Sequence, residues 1–334
     1  MNVRFIGGTG IISTHCVEAA LERGWDVTLL NRGLSSPAPA GCRQVVADIR
    51  NPSQAAEALG NETFDAVIDW VTFLPSHVET DIDLFRGRTG QLVLISTASA
   101  YQTPPRKLPI TEETPLENPF WAYSRDKIAC EQRLFDEMAQ GFPATIVRPS
   151  HTYGRNKFPF NGGYTYLHRI REGKPIVLPG DGTSVWTMTH ARDFAVGLLG
   201  LLGKKEALGE AFHITSDEWL TWNRIFEDLG RHLGREPVVT HLPSSVVMQA
   251  DEELGAGFWG DKAHSMIFDN SKLKSVVPEF DAAIPFASGS KDIIDWYGED
   301  ASRCEVDARA DALQDRLVDT YRELLASVSG GRHD

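Results

Sequence analysis

A chain of 334 residues, 42% hydrophobic and 24% charged, has an ordinary globular composition and is long enough for two domains or one large one. A formal net charge of −13 with no long basic run argues against a nucleic-acid surface, because such a field repels phosphate backbones. No run of about 18 apolar residues offers a membrane span, and an apolar run starting at residue 2 leaves no room for a signal peptide. Cys16, Cys42, Cys130 and Cys304 are widely spaced and form no CxxC pair, which points to free thiols, no metal site and a cytoplasmic protein.

In chain order, Asn2-Val3-Arg4-Phe5-Ile6 reads as a strand, Gly7 to Gly10 as a tight loop, and the positions from Ile12 to Leu21 as a helix stopped at Gly24. Asp26 to Leu30 reads as a second strand. Val45-Val46, Ala66-Val67-Ile68 and Leu92 to Ile95 are further short runs, separated by helical stretches over Ser53–Leu59 and His77–Phe85. A helix over Tyr123–Met138 and a strand over Ala144–Arg148 continue the alternation, which predicts a parallel sheet covered on both faces. Beyond Gly154 the chain becomes rich in glycine, proline and aromatics. A helix near His190–Leu202 returns to the sheet, and short strands follow at Phe212–Thr215 and Pro237–His241. Leu313, Leu317, Tyr321 and Leu324 form a helical stripe suited to core packing, and the tail 330–334 is expected to fray.

The expected fold is therefore α/β, a Rossmann-type doubly wound parallel sheet with a smaller mixed α/β substrate unit. Residues 1–154, with 190–204 returning, form the first unit; 155–189 and 205–330 form the second.

The loop Gly7-Gly8-Thr9-Gly10-Ile11-Ile12-Ser13 has the spacing GxxGxx[G/S]. It either presents backbone N–H groups and a helix N-terminus to a dinucleotide pyrophosphate or is a structural turn. Asn31 and Arg32 follow the second strand, where an adenosine ribose would lie. No acid stands there to accept the ribose hydroxyls, and Arg32 can pair with a 2′-phosphate, which leans toward NADP over NAD. Asp48 and Ile49, after the third strand, can meet the adenine amine and ring.

Tyr123 and Lys127 share one helix face at i, i+4. An ammonium near a phenol lowers the phenol pKa toward the working pH and makes it a usable acid or base. The strand end Ser96-Thr97-Ala98-Ser99 places hydroxyls on the same sheet edge as the glycine loop.

These segments together resemble the extended short-chain dehydrogenase/reductases, NAD(P)-dependent sugar epimerases, dehydratases and reductases. Arg148-Pro149-Ser150-His151-Thr152-Tyr153-Gly154, Glu112–Leu116 and His190–Phe194 also match, so the likeness spans roughly residues 1–290. The resemblance implies that Tyr123 is the catalytic acid/base, Lys127 its partner and a ribose ligand, and Thr97 the hydroxyl that binds the reacting oxygen. It places Ser96, Pro149 and Ser150 among the cofactor contacts, the last two beside the nicotinamide. His151 falls where relatives keep a substrate-contacting Asn. Homodimers built on paired helices are common in such relatives.

The pattern breaks after Gly180-Asp181-Gly182. Trp186 stands where sugar-nucleotide members carry an Arg for the substrate diphosphate; an indole can stack on a sugar but cannot neutralise that charge. Arg155, Lys157 and Arg169 are the other cations available nearby in sequence. Residues 258–272 resemble an atypical branch that includes the chloroplast stem-loop-binding proteins. The expected activity is hydride transfer at a hydroxyl or carbonyl of a sugar or sugar derivative. The alternatives are an NADPH-dependent reductase of a non-sugar carbonyl compound and a non-catalytic dinucleotide-sensing or RNA-associated protein.

Overall fold

The computed structural model describes residues 1–34, 37–156 and 158–330. Strands β1 (Asn2–Ile6), β2 (Asp26–Asn31), β3 (Arg43–Val46), β4 (Ala66–Asp69), β5 (Leu92–Ile95) and β6 (Ala144–Pro149) alternate with helices α1 (Ile11–Glu22), α2 (Pro52–Leu59), α3 (Pro75–Phe85) and α4 (Ala122–Met138). There follow β7 (His151–Tyr153), α5 (Tyr164–Glu172), β8 (Ile176–Pro179), β9 (Val185–Trp186), β10 (Met188–His190), α6 (Ala191–Leu201) and β11 (Ala211–Ile214). The rest comprises β12 (Leu220–Thr221), α7 (Trp222–Leu233), β13 (Val239–Leu242), α8 (Ser244–Ala250), α9 (Glu252–Gly257), a π-helical turn (Phe258–Lys262), α10 (Ser271–Val276), α11 (Phe286–Gly289), α12 (Lys291–Glu299) and α13 (Ala308–Gly330).

Seven strands form one parallel sheet in the order β11-β6-β5-β4-β1-β2-β3. The order reverses between β1 and β4, so a crevice opens there at the carboxyl ends of the strands. Alternation along β1 explains the two-faced burial: Val3 and Phe5 pack into the core beneath α1 and α6, while Ile6 joins the core beneath α2, α3 and α4. Arg4 points to that second face and is buried too, tolerated because Glu62 pairs with it at 2.8 Å.

Residues 211–214, assigned from sequence to the second unit, are the sheet's edge strand, paired with β6. Leu273 of α10 and Phe280 likewise pack into the core of the sheet. These segments thus join 190–204 in packing on the sheet. The remainder of the C-terminal half builds its own aromatic core around Trp186, Trp222, Phe226, Phe268 and Phe286.

Helix α13 confirms the apolar stripe only in part. Leu317 is buried against Val177, Leu242 and Val247, with Leu313 and Tyr321 partly covered. Leu324, one turn further along, is 56% exposed, because the helix has by then run past the surface it packs on. Residues 331–334 of the tail lie outside the described residues.

Candidate active site

Gly7 and Gly8 turn the chain at φ +98° and +91°, a region that side chains rarely adopt. A Cβ on Gly8 would also come within 2.7 Å of Leu29 Cδ2, so the loop can lie flat on β2 only as glycine. Gly10 donates its N–H to Ser13 Oγ at 2.8 Å, so the third position of the motif closes the loop through a buried hydroxyl. Ile11 and Ile12 open α1, whose first-turn N–H groups have no intrahelical acceptor and face the crevice with Thr9 beside them. This cradle fits a dinucleotide pyrophosphate.

Asn31 ties β2 to the loop: its Nδ2 donates to the Gly7 carbonyl at 3.3 Å, and its Oδ1 accepts from Gly33 N and Gln44 Nε2. Arg32 beside it is exposed. Asp48 Oδ1 caps the next turn by accepting from Arg50 N at 2.9 Å, and Ile49 is buried against Leu30, Ala47 and Ala55.

At the end of β5 the two hydroxyls diverge. Ser96 Oγ donates to the buried carboxylate of Glu131, which also holds Arg148 through Nε at 3.0 Å and Nη2 at 2.6 Å. That network joins α4, which carries Tyr123, to β5 and β6, whose ends lead into Thr97 and Ser150. Thr97 instead faces the phenol and shares a hydrogen bond with Ser99 Oγ at 3.0 Å; Ser99 continues to Ser124 Oγ at 2.8 Å. Ser150 Oγ lies 2.9 Å from Thr189 Oγ1, just beyond Pro149 at the end of β6.

The Tyr123–Lys127 pair differs from the sequence expectation. Burial pushes the Tyr123 phenol up to about 12; the Thr97 hydroxyl offsets part of this, while Asp261 and Cys130 add to it. Lys127 does not lower the phenol, because its Nζ donates to the carbonyls of Thr72 at 2.5 Å and Ile95 at 2.8 Å and sits 6.0 Å from the Tyr123 ring centre. Burial in turn brings the Lys127 ammonium down to about 8, against the pull of Asp69. The phenol is thus a protonated acid at neutral pH and the ammonium is close to titrating.

Trp186 is the second correction. It is 1% exposed and lies edge-on to His151 with ring centres 4.8 Å apart, so its face is not open to a sugar or a base. It is a wall behind His151. His151 is also edge-on to Trp222 and stacks on Phe160, and its Nε2 lies 2.9 Å from Asp261 Oδ2. Burial alone would raise the Asp261 carboxyl, but His151 and Lys262 outweigh it and hold it well below the usual carboxylate range. Lys262 contacts Asp261 at 2.8 Å, and its ammonium lies over the rings of Phe160 and Trp222.

Asp261 and Lys262 are residues that the motif reading passed over, although they lie in the segment it marked as unusual. What brings them to the site is the π-helical turn. Asn118 Nδ2 donates to the carbonyls of Gly260 at 2.6 Å and Ser99 at 2.8 Å, clamping that turn onto the loop before Tyr123. Phe73 and Trp121 stand beside the Tyr123 ring, and Phe120 stacks on Trp259 of the π-helical turn. Of the other cations considered, Arg155 pairs with Glu18 and Arg169 with Asp311 and Asp315; Lys157 lies outside the described residues. Among the described residues no His/Cys/Asp/Glu cluster is arranged to hold a metal, and no helix is long and apolar enough to cross a membrane.

A family model described as the NAD dependent epimerase/dehydratase family matches residues 5–215. A 2'-dehydrokanamycin reductase of Streptomyces kanamyceticus is 28% identical over 84% of this chain and 80% of its own length. A chloroplast stem-loop binding protein of 41 kDa from Arabidopsis thaliana is 25% identical over 72% of this chain and 65% of its own length. Among solved structures, a UDP-glucose 4-epimerase from Bifidobacterium longum in complex with NAD+ and UDP superposes with a TM-score of 0.74 at 17% identity, covering 91% of this chain and all of that one. A dTDP-glucose 4,6-dehydratase from Bacillus anthracis in complex with NAD gives 0.71 at 20% identity, covering 90% and 98%.

Proposed function

Because the chain belongs to the NAD dependent epimerase/dehydratase family and is an enzyme of that nicotinamide-dependent kind, we propose that it reduces a carbonyl of a sugar or sugar derivative that bears no nucleotide diphosphate. The observation that carries this reading is the charge of the wall around His151: Trp186 is buried and neutral, and Lys262 is engaged by Asp261. Tyr123 would donate its proton to the carbonyl oxygen.

A bound nicotinamide dinucleotide would supply the hydride. The N–H groups of Gly8, Thr9, Ile11 and Ile12 would hold its pyrophosphate, with the N–H groups of Gly7 and Gly10 spent on Leu30 and Ser13 to shape the loop; Asn31 and Arg32 would hold the adenosine ribose, and Asp48 and Ile49 the adenine. Lys127 would bind the nicotinamide ribose, and Ser150 and Pro149 would border the carboxamide. Ser96 would contribute through its backbone, since its hydroxyl is spent on Glu131. The exposed Arg32 with no neighbouring acid at the end of β2 favours NADP over NAD. Thr97 would hold the substrate oxygen within reach of the phenol, and His151 would meet the substrate from β7. Residues 1–154 with 190–204 and 211–214 form the cofactor-binding unit in this reading, and the remainder contributes the substrate wall. Free thiols at all four cysteines accord with a cytoplasmic setting.

The absence of a diphosphate from the substrate is supported by charge. Lys262, the cation beside His151, is already engaged by Asp261, and Trp186 offers no charge at all. The named activity of the 2'-dehydrokanamycin reductase relative, a reductase rather than an epimerase, agrees with the same reading.

The test offers the purified protein NADPH or NADH with a panel of oxidised glycosides, keto-sugars and UDP-hexoses, following nicotinamide absorbance. Stoichiometric cofactor consumption with a ketone that lacks a nucleotide is the expected result. Turnover of UDP-hexoses without net consumption would replace it with an epimerase. Salt-dependent RNA binding with no turnover would point to the non-catalytic alternative.

A further inference from the structure

Beneath Lys127 lie two buried carboxyl groups that none of the sequence motifs includes, Asp69 at the end of β4 and Asp81 on α3. We propose that Asp69 and Asp81 share one proton and act as a single negative charge under Lys127, a positioning pair that keeps its ammonium charged beside the cofactor crevice.

The hydrogen-bond inventory points to the shared proton. Asp69 Oδ1 accepts the N–H groups of Val71 and Thr72, and Asp81 Oδ2 accepts the Thr72 hydroxyl at 3.0 Å. One oxygen of each group is left over, Asp69 Oδ2 and Asp81 Oδ1; both are buried and neither has another partner. The two side chains are within hydrogen-bonding reach of each other. Buried polar atoms are almost always satisfied, and a proton between these two oxygens satisfies both at once. Two ionised carboxylates buried side by side would repel each other. Burial first, and then Asp69, push the Asp81 carboxyl well above the usual range, so Asp81 is the group that carries the proton.

Thr72 connects the pair to Lys127. It donates its N–H to Asp69 and its hydroxyl to Asp81, while its carbonyl accepts from Lys127 Nζ. Asp69 is the largest charge supporting the ammonium. The other charged or titratable groups facing this region are Arg50 from the loop after β3, His77 on α3, and Cys130 and Glu131 on α4. Arg50 opposes the ammonium, His77 is itself pushed down by burial, and Glu131 is held by Arg148. The acid pair, through Asp69, is therefore the leading charge that supports the Lys127 ammonium, ahead of Cys130 and Glu131.

The consequence for turnover rests on Lys127 serving the cofactor, but the test reads the protein alone, so failure of either idea is seen separately. Side-chain 13C-labelled lysine would be followed by NMR across pH, with the Lys127 signal assigned through Lys127→Arg. Asp69→Asn is expected to lower the Lys127 midpoint by about one unit or more. Asp81→Asn removes the proton carrier but leaves the charge on Asp69, so the midpoint should stay unchanged. Infrared difference spectra at neutral pH should show a protonated-carboxyl band that Asp81→Asn abolishes. An Asp81→Asn shift as large as that of Asp69→Asn, or no such band, overturns the proposal. Should Asp69→Asn fail to fold, the Asp81→Asn titration and the infrared band decide the question alone.

Discussion

Lys127 Nζ donates to the Ile95 carbonyl at 2.8 Å, fixing the ammonium at the end of the strand that continues into Thr97. One helix face and one strand end are thereby locked together with the charged group between them. Much of the site's behaviour follows from that contact.

Tyr123 should be indispensable to turnover and dispensable to folding. Tyr123→Phe removes a single hydroxyl from an aromatic surround and is expected to cut kcat by about 10²-fold or more. Cofactor affinity by calorimetry and the melting temperature should be nearly unchanged. A variant with full kcat would remove Tyr123 from the chemistry.

The pH profile should report Lys127, not Tyr123. With the ammonium at about 8 and the phenol at about 12, kcat/KM should fall as pH rises through about 8, while the phenol stays protonated throughout that range. Lys127→Arg keeps its charge and should move that limb upward even if it slows the reaction. A limb that does not move assigns the titration to another group.

Arg32 should discriminate between the two dinucleotides. Losing a charged hydrogen-bond donor to a 2′-phosphate costs about 1.5–3 kcal/mol, so Arg32→Ala should weaken NADP binding by about tenfold or more and leave NAD alone. Paired titrations of both cofactors check this; equal losses would show that Arg32 does not meet the 2′-phosphate.

Glu131 should be a stability residue. It is fully buried, and Glu131→Ala would strand the Arg148 guanidinium and the Ser96 hydroxyl together. Breaking such a pair from one side costs about 3–5 kcal/mol, readable as a lower denaturant midpoint at constant m-value.

Gly8→Ala tests the cradle. Its backbone is at φ +91° and the added methyl would sit 2.7 Å from Leu29 Cδ2, so a loss of about 1–3 kcal/mol of stability is expected, with weaker cofactor binding. Unfolding curves and calorimetry on the same preparation check both effects.

Much of the fold was legible from the chain because each piece of evidence was local. Val3, Phe5 and Ile6 announce a doubly covered strand, and Gly7 and Gly8 announce a turn that only glycine makes. The extra edge strand at 211–214 was not legible as such, since a four-residue run, Ala211-Phe212-His213-Ile214, does not say which sheet it joins. Leu324 was misread because periodicity continues along a helix after its packing surface has ended.

Chemical identity along the chain was enough to place a hydroxyl, a phenol and an amine on the sheet edge that carries the glycine loop. It could not say which way those groups point or which of them hold a proton. Ser96 turning to Glu131, Trp186 sinking behind His151, and Asp261 arriving beside Tyr123 from far along the chain are decisions of the tertiary structure. The physical reason is that charge state depends on burial and on neighbours supplied by distant elements. A Tyr and a Lys at i, i+4 specify a shared face; burial, and the carbonyls of Thr72 and Ile95 that hold the ammonium, decide that the phenol is pushed up rather than down.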